Sequence, residues 1–358
     1  MPLFPDLADR IVALKHGERM SEDEVCSLVD GVLAGEIDLD AFGCWLVALA
    51  DVGETSVEIA GVAAALRGRM LPLDAGLPEG TIVADTCGTG GDGSGSFNIS
   101  TASAIVVAAA GQPVAKHGNR AVSSRTGSAD VLAALGVRTD APVEIAARCL
   151  REIGLCFCFA PAHHPAMARV GPLRRSLGRP TVFNLVGPLC NPAGANVQVI
   201  GVGRAAAVAP MAEAARRLGA TRTLVVSGSL ASPAGDPSLK PFDEVSLFGP
   251  TDVINVSPSR VVRYRWMPED FGLTTLSPER MADLDVAGPP ESAAAIRDVL
   301  AGVPGPRRDV VVLNAAAVLF AAGRATTLVA ACEHAEHAID SGDAATLLDR
   351  FITMSQPA

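Results

Sequence analysis

The residues between positions 85 and 130 include many of the types that hold phosphate groups in proteins, and they form three polar, glycine-rich segments. The segments are Asp85-Thr86-Cys87-Gly88-Thr89-Gly90-Gly91-Asp92, then Asn98-Ile99-Ser100-Thr101, and then Lys116-His117-Gly118-Asn119-Arg120 with Ser123, Ser124 and Ser128. Backbone N–H groups, hydroxyls and cationic side chains are donors that bind phosphate. The three segments therefore indicate a site for a phosphorylated substrate.

The first segment formally matches a dinucleotide-binding fingerprint, because Gly88, Gly90 and Gly93 have the spacing Gly-x-Gly-x-x-Gly. That fingerprint opens directly into a helix, whereas residues 94–98 intervene here. No Gly-Lys-Ser/Thr closes the run, so the segment is not a P-loop. A carboxylate such as Asp92 repels a phosphate unless it binds a hydroxyl or a metal ion, and a ribose phosphate offers hydroxyls. A plain glycine turn is the alternative for this segment taken alone.

The second segment precedes a run of small residues that predicts a helix. We expect the side chain of Asn98, Ser100 or Thr101 to cap that helix. The N-terminus of a helix carries free N–H groups and partial positive charge, so it attracts anions. The second segment therefore adds a candidate anion site next to the glycine segment.

Short apolar runs alternate with helical patterns after position 80, and this alternation predicts a mostly parallel sheet with helices on both faces. The candidate strands are residues 82–84, 113–115, 156–159, 196–202 and 223–226. In such sheets ligands bind beyond the carboxyl ends of the strands. Because the polar segments follow candidate strands, we expect them to converge on one rim of the sheet.

The first 70 residues have a different, helical pattern. Ser21-x-x-Glu24 and Thr55-x-x-Glu58 fit the capping box at a helix start. Prolines and glycines then interrupt the pattern over residues 71–80. We predict a helical N-terminal domain over residues 1–72, joined by a helical segment near residues 165–185, and an α/β domain with the phosphate-binding segments over residues 73–358.

The charge balance bears on the class of partner, because the net charge is −10 at pH 7. A nucleic-acid or anionic-membrane binder usually carries the opposite sign. Between positions 116 and 128, however, there are Lys116, Arg120 and Arg125 and no acid. Positive charge is thus concentrated where the anion is expected, although a solvated basic loop is the alternative on charge alone.

We predict a soluble, cytoplasmic protein without a membrane or nucleic-acid partner. This prediction rests on the N-terminus, the cysteines and the apolar runs, together with the charge balance. Residues 1–6 carry an acid and prolines where a signal peptide has basic and then apolar residues. The eight cysteines have no framework spacing, which is typical of a reducing compartment. The apolar run at residues 105–110 is too short to cross a bilayer.

Taken together, the motifs resemble the anthranilate phosphoribosyltransferase family. The combination of Gly-Thr-Gly-Gly-Asp, Asn-x-Ser-Thr and Lys-His-Gly-Asn-Arg is far more specific than any one of its parts. The resemblance covers nearly the full chain, since it extends to residues 53–61, 159–167, 174–192, 313–316 and 341–342.

The resemblance implies an α/β fold of the nucleoside phosphorylase and phosphoribosyltransferase class, with a small helical domain and a larger domain built on a mostly parallel sheet. It implies that anthranilate attacks C1 of phosphoribosyl pyrophosphate and displaces pyrophosphate, a step of tryptophan synthesis. It also implies magnesium, Mg²⁺, and a homodimer. No covalent nucleophile is expected, because the amine of anthranilate attacks directly.

The family positions imply a role for each matching residue. Phosphoribosyl pyrophosphate would contact Gly88, Gly91, Asp92, Ser96, Asn98, Ser100, Thr101, Lys116, His117, Gly118, Asn119, Arg120, Ser123, Ser124 and Ser128. Anthranilate would contact Gly88, Asn119 and Arg174, and Mg²⁺ would be held by Ser100, Asp243 and Glu244. Hard oxygen ligands suit Mg²⁺, and arginine can hold a planar carboxylate with two parallel hydrogen bonds.

The sequence departs from the family before the acidic pair. The family reaches this pair through a short His-Gly-x-Asp-Gly-x-Asp-Glu run, whereas here residues 229–241 lie between Gly228 and Phe242-Asp243-Glu244. The usual His and first Asp are missing, and Asp236 is the candidate substitute for that Asp.

Three other functions share part of the sequence pattern of a phosphoribosyltransferase. A pyrimidine nucleoside phosphorylase resembles the family in fold and in its Lys-His motif, but the glycine segment and the pair Asp243-Glu244 count against it. A non-catalytic relative that binds nucleic acid disagrees with the negative charge. A dinucleotide-dependent oxidoreductase rests only on the glycine spacing.

Overall fold

The structure, a computed structural model, describes residue 4 and residues 6–121, 125–229 and 241–356. It begins with four helices, α1 (Leu7–Lys15), α2 (Glu22–Ala34), α3 (Leu39–Val52) and α4 (Ser56–Arg69). Ser21 and Glu24 form a capping box at α2, and Thr55 and Glu58 form one at α4, as their spacing predicts. Residues 70–83 contain neither helix nor strand, which agrees with the predicted break at 71–80.

Strands and helices then alternate. In chain order they are β1 (Ala84–Gly88), α5 (Ile99–Ala109), β2 (Val114–Gly118), α6 (Ser128–Leu135), α7 (Val143–Ile153), β3 (Leu155–Phe159), α8 (Ala160–His163), α9 (Gly171–Leu177), α10 (Phe183–Val186), β4 (Val197–Gly201), α11 (Ala205–Arg217) and β5 (Arg222–Gly228). Two further strands and four helices follow, namely β6 (Thr251–Ser257), β7 (Arg260–Trp266), α12 (Pro289–Leu300), α13 (Pro306–Ala321), α14 (Leu328–Asp340) and α15 (Asp343–Ser355). Short 3₁₀ helices occupy Pro165–Ala168, Gly187–Cys190, Pro268–Phe271 and Pro278–Leu284.

The strands form one seven-stranded sheet in the order β3-β2-β1-β4-β5-β6-β7. The first five strands of that order are parallel, whereas β6 is antiparallel to both of its neighbours, β5 and β7. The prediction of a mostly parallel sheet is therefore confirmed. The order reverses at β1, because β2 lies on one side of it and β4 on the other, and this is where a crevice opens in α/β sheets.

The strands β1 and β2 differ from the predicted ones because they include part of the polar segments. Asp85 and Thr86 lie within β1, and Lys116 and His117 lie within β2, where all four are buried. Polar groups can lie in a buried strand only when hydrogen bonds satisfy them. Those hydrogen bonds help to organise the rim described below.

Each face of the sheet packs against its own core. One core joins α5, α13 and the other C-terminal helices to one face. The other core joins α1–α4 and α11 to the opposite face, through Ile200, Val225 and Ile254. Small side chains dominate both cores, which allows helices and strands to approach closely.

The segment before β4 packs against the N-terminal helices. In α9, Leu173 lies so close to Gly43 of α3 that a Cβ there would stand 3.0 Å from Leu173 Cδ1. In α10, Phe183 makes an edge-to-face contact with Phe42, at 6.2 Å between ring centroids. The predicted domain boundaries near residue 72 stay a prediction, since nothing in these contacts tests them.

The strand β7 forms one edge of the sheet and carries three exposed arginines, Arg260, Arg263 and Arg265. Arg265 lies opposite Asp252 of β6. Across the described residues, no helix combines the length and the apolar character needed to cross a membrane.

Candidate active site

The glycine segment meets the acidic pair at the carboxyl ends of β1 and β4. The backbone N–H of Gly90 donates to Oδ2 of Asp243 at 2.8 Å. A Cβ at Gly88 would overlap the Asp243 carboxylate, and a Cβ at Gly201 would overlap the Asp243 carbonyl oxygen. Glycine is thus required at both strand ends for the acidic pair to approach the sheet.

Three carboxylates crowd together at this point. Asp92 accepts hydrogen bonds from the backbone N–H and the hydroxyl of Ser94 at 3.0 and 3.1 Å, and the hydroxyl of Ser96 lies 3.1 Å from that of Ser94. Burial and the nearby charge of Asp92 raise the pKa of Asp243 to about 8. Burial, followed by the charge of Asp243, raises the pKa of Glu244 well above its usual value. A cation bound here would relieve this repulsion.

Lys116, in the third polar segment, forms hydrogen bonds beneath the rim to residues of the first and second segments. Its Nζ donates to Ser100 Oγ at 3.1 Å and to the carbonyl oxygen of Thr86 at 2.8 Å. Glu244 Oε1 accepts from the backbone N–H of Ser100 at 3.2 Å, so Ser100 lies between a cation and a carboxylate. Lys116 is only 3% exposed, which rules out for this residue the alternative of a solvated basic loop.

The prediction of a side-chain cap for α5 is wrong. Asn98 is the N-cap residue, but its side chain makes no capping bond. Instead, Asn98 Oδ1 accepts from the hydroxyls of Thr126 and Ser292 at 3.0 and 2.8 Å. The hydroxyl of Thr101 is buried and has no hydrogen-bond partner among the described residues. The start of α5 thus uses Asn98 to bind two distant segments, which local sequence cannot reveal.

His117 faces the segment 187–190 from β2. Its Nδ1 lies 3.1 Å from the carbonyl oxygen of Gly187, while its Nε2 is buried and has no partner in the part of the chain that the structure describes. Burial lowers the pKa of His117 to about 3, so the ring is neutral at physiological pH. The backbone N–H of His117 donates to the buried Asp85 at 3.2 Å, and Asn191 Nδ2 donates to the same carboxylate at 2.9 Å.

The loop after β2 folds back onto the start of α6. The backbone carbonyl oxygen of Asn119 accepts from the hydroxyl of Ser128 at 3.3 Å, and a Cβ at Gly118 would overlap that hydroxyl. Asp130 Oδ2 accepts from the backbone N–H groups of Ala121 and Gly127 at 2.8 and 3.0 Å. Asn119 and Arg120 are exposed. Ser123 and Ser124 lie outside the described residues.

Arg174 lies in α9, outside the strand-end segments that form the rim. Its guanidinium lies over the ring of Phe183, 5.3 Å from the centroid, and burial lowers its pKa. Within the described ranges its side chain makes no hydrogen bond and no ion pair, so its donors are free. The helix α10 that carries Phe183 leads directly to Gly187, the partner of His117.

Two structural residues of the site had no predicted role. Asn314 in α13 fixes the chain after Glu244, since its Oδ1 accepts from the N–H of Val245 at 2.8 Å and its Nδ2 donates to the carbonyl oxygen of Val245 at 3.0 Å. Asn191 bridges Asp85 and the carbonyl oxygen of Ala115. Both residues belong to motifs that carry the family resemblance, and a buried asparagine in an apolar run is the signal that could have identified Asn314.

The donor set suits a magnesium ion that keeps water and substrate oxygens among its ligands. Ser100, Asp243 and Glu244 supply hard oxygens, and the raised pKa values of the two acids reflect carboxylates brought together without enough positive charge. Across the described residues no group of three His, Cys, Asp or Glu side chains could hold a metal ion alone. Asp236 lies outside those residues.

This rim can therefore bind a polyanion with a cation, but among its described residues it offers no activated nucleophile. Exposed glycine N–H groups, hydroxyls and the start of α5 surround three acids, while Lys116 and His117 lie beneath them. Such a site stabilises a leaving group instead of attacking the substrate.

Comparisons with known proteins agree with this geometry. A family model for the a/b domain of a glycosyl transferase family matches residues 80–345, and the model for the helical bundle domain of that family matches residues 9–70. An anthranilate phosphoribosyltransferase of Azorhizobium caulinodans is 45% identical over 95% of this chain and 94% of its own length.

Solved structures agree as well. The crystal structure of the anthranilate phosphoribosyltransferase of Thermus thermophilus superposes with a TM-score of 0.85 at 41% identity, covering 98% of this chain and all of that one. The enzyme of Saccharomyces cerevisiae in complex with PRPP and Mg superposes with a TM-score of 0.83 at 26% identity, covering 98% of this chain and 97% of that one. The yeast enzyme has also been solved with 4-fluoroanthranilate.

Proposed function

The chain belongs to the anthranilate phosphoribosyltransferase family of glycosyl transferases, and we propose how its own residues carry out the reaction of that family. The reaction transfers the phosphoribosyl group of phosphoribosyl pyrophosphate to the amine of anthranilate and releases pyrophosphate. The observation that carries the proposal is the junction of the glycine segment with the acidic pair, through Gly90 and Asp243.

Phosphoribosyl pyrophosphate binds at the rim formed by the three polar segments. Gly88 and Gly91 lie in the first segment and Ser96 follows it, Asn98 and Thr101 lie at the start of α5, and Asn119 follows β2. We assign the remaining contacts to Asp92, Ser100, Lys116, His117, Gly118, Arg120, Ser123, Ser124 and Ser128. Backbone N–H groups and hydroxyls bind phosphate oxygens there, and Asp92 faces ribose hydroxyls or the cation.

Mg²⁺ is held by Ser100, Asp243 and Glu244, together with water and diphosphate oxygens. When bound, the ion neutralises charge on the departing pyrophosphate. Lys116 positions Ser100 from below through the 3.1 Å hydrogen bond, and Glu244 fixes the backbone of the same residue. The second metal position usual in the family has no assigned ligand in place of the missing Asp.

Anthranilate binds through Arg174, with Gly88 and Asn119 beside it. The guanidinium of Arg174 lies on Phe183 with its donors free, and it can therefore form two parallel hydrogen bonds with a planar carboxylate. Such a contact orients the amine towards C1 of the ribose and excludes water from that position. Because His117 is neutral, it adds no charge next to the developing positive ribose.

The assembly and location of the protein complete the proposal. A homodimer in the cytoplasm is what the family resemblance implies, and the absence of a nucleic-acid partner follows from the net charge of −10. The division at residue 72 is supported by the separate match of residues 9–70 to a helical bundle domain. Light scattering at several concentrations tests the dimer.

A fluorescence assay tests the proposed reaction directly. Anthranilate fluorescence should fall only when enzyme, phosphoribosyl pyrophosphate and Mg²⁺ are all present, and omission of any one should stop the decrease. Free phosphate and thymidine or uridine serve as the control substrates. Cleavage of these nucleosides without use of anthranilate would instead show a nucleoside phosphorylase.

A further inference from the structure

A cavity of about 200 Å³ lies at the amino ends of the parallel strands, on the side of the sheet opposite the substrate rim. It is lined by the residues that precede β4 and β5, by the end of α11 and by Arg67 of α4. The substrate segments follow the carboxyl ends of the strands, whereas this cavity lies at their amino ends. None of the described residues assigned to phosphoribosyl pyrophosphate, Mg²⁺ or anthranilate lines it.

Arg67 gives the cavity a positive charge. Its Nε donates to the carbonyl oxygen of Leu189 at 2.6 Å and its Nη1 donates to that of Leu218 at 3.1 Å. These bonds use two of the five N–H donors of a guanidinium. In the described part of the chain no carboxylate pairs with Arg67, and burial lowers its pKa. An arginine retains its charge at neutral pH, so a half-buried cation with unused donors, and with no carboxylate partner among the described residues, borders the cavity.

The other polar groups of the cavity do not compensate this charge. They are Asn191, Asn196, Gln198, Thr221 and Thr223, and the lining contains no Asp or Glu. Thr223 is only 1% exposed, and its hydroxyl makes no hydrogen bond among the described residues. The hydroxyl borders the cavity, where a water molecule or a ligand can form a hydrogen bond with it.

The remaining wall is apolar and limits the size and charge of the ligand. Met70, Leu189, Ala215 and Leu218 line it. One guanidinium beside an apolar wall suits a planar monoanion with an apolar body better than a strongly hydrated dianion such as phosphate. The volume is at the small end for ligand sites, so the ligand has few heavy atoms.

Hydrogen bonds connect this cavity to the substrate rim. Asn191 donates to Asp85, which in turn accepts from the backbone N–H of His117. Gln198 Nε2 donates at 2.7 Å to the carbonyl oxygen of Pro188, the residue after Gly187, and Gly187 is the partner of His117. Two polar residues of the cavity thus contact the groups that hold His117 in place.

We propose that this cavity is a second ligand site, which binds a small monocarboxylate through Arg67 and Thr223. The site is distinct from the anthranilate contact at Arg174. Its existence does not depend on the reaction that the rim catalyses.

Benzoate is the probe, because it is a planar monocarboxylate with an apolar body, and benzamide is the uncharged control of the same shape. Calorimetric titrations use the full chain carrying Arg174→Ala, so that the proposed anthranilate contact is absent. Benzoate should bind in the millimolar range and benzamide should not. Added Arg67→Gln should weaken the binding by about tenfold or more, since a charge-assisted contact is lost.

A second variant tests the site independently, so that a folding defect in Arg67→Gln cannot be mistaken for a loss of binding. Ala195 lines the cavity from a partly exposed loop, so Ala195→Leu should fill the space and abolish binding without touching Arg67. Arg69→Gln is the matched control, because Arg69 lies one half-turn away in α4 and pairs with Asp30, and it should leave binding unchanged. Equal binding of benzamide, or benzoate binding that survives both Arg67→Gln and Ala195→Leu, would overturn the proposal, as would no binding at all.

Discussion

The backbone N–H of Gly90 donates a hydrogen bond to Oδ2 of Asp243 across 153 residues of sequence. This hydrogen bond connects two parts of the site. The glycine segment offers donors to a diphosphate, and the acidic pair suits the cation that accompanies the diphosphate. Neither segment can be positioned correctly without the other. Substitutions that move Asp243 should therefore impair both the use of phosphoribosyl pyrophosphate and the response to Mg²⁺.

Gly201→Ala tests this relationship at a residue that itself has no assigned contact with a substrate. The new Cβ would overlap the carbonyl oxygen of Asp243, so the acidic pair must shift away from the end of β4. We expect turnover to fall on the order of a hundredfold, because small displacements of a catalytic group have effects of that size. Steady-state kinetics with a magnesium titration provide the measurement.

Gly68→Ala is the matched control for Gly201→Ala. A Cβ at Gly68 meets nothing within 4 Å, and alanine favours the helix in which it lies. This variant should keep full activity and equal or higher stability. Unchanged kinetics in Gly201→Ala would show that the position of Asp243 does not limit the reaction.

The stability of the unliganded protein should fall as the pH rises from about 4 to about 8, since the pKa of Asp243 is raised to about 8 in the folded state. In this range the folded chain retains a proton that the unfolded chain has lost, so unfolding releases that proton. Asp243→Asn resembles the neutral carboxyl, and it should reduce the fall in the free energy of unfolding by on the order of 2 kcal/mol.

Urea denaturation at about pH 5 and about pH 8, without Mg²⁺ or substrate, measures this difference. Exposed Asp298→Asn provides the control, and its stability should follow the pH dependence of the parent chain. If Asp243→Asn loses as much stability with rising pH as the parent does, Asp243 is ionised in the folded protein and the prediction fails.

Lys116→Met should destabilise the protein, by on the order of 3 kcal/mol, because it removes a buried cation from beside buried acids. The charge of Lys116 acts on both Asp85 and Glu244 to lower their pKa values. Without it both acids take up protons more readily, so the loss of stability should grow as the pH rises. Thermal and urea unfolding at two pH values give the measurement.

Lys15→Met replaces an exposed lysine and should change stability by less than about 0.5 kcal/mol. In addition, Lys116→Met should impair the use of phosphoribosyl pyrophosphate more than that of anthranilate, since Ser100 loses its support. An equal loss for both substrates would contradict the position assigned to Lys116.

Arg174→Gln should weaken the use of anthranilate by roughly 1.5–3 kcal/mol in kcat/KM, the usual value of a charge-assisted contact. The KM for phosphoribosyl pyrophosphate should change little, because Arg174 makes no hydrogen bond to the rim within the described ranges. Neighbouring Arg175 is exposed, so Arg175→Gln is the matched control. Equal kinetics in the two variants would remove Arg174 from the site.

Much of the fold could be predicted from local sequence. Capping boxes at Ser21 and Thr55 mark helix starts by local hydrogen bonding, and the apolar runs mark the parallel strands β1 to β5. The antiparallel pair β6 and β7 was not predicted, since β7 is exposed on most of its residues and carries no clear apolar alternation.

The candidate site could be predicted in residue type but not in arrangement. The motifs identify Lys116 and Asn98, yet the charge pattern left a solvated loop open as the alternative for Lys116, and the helix pattern assigned a capping role to the segment that begins at Asn98. The capping expectation failed because the partners of Asn98, such as Ser292, are distant in sequence. The close approach of Gly201 to Asp243 likewise depends on tertiary contacts.

The arginines of β7 bear on how the sheet ends. An edge strand leaves N–H and C=O groups open to an eighth strand from another molecule. Arg260, Arg263 and Arg265 would place like charges face to face if two such edges met, and like charges opposite each other on paired strands repel. The arginines should thus oppose edge-to-edge association of the enzyme at high concentration, although β7 has no neighbouring strand on its outer side in the described part of the chain. Replacement of these arginines with valine would favour fibre formation.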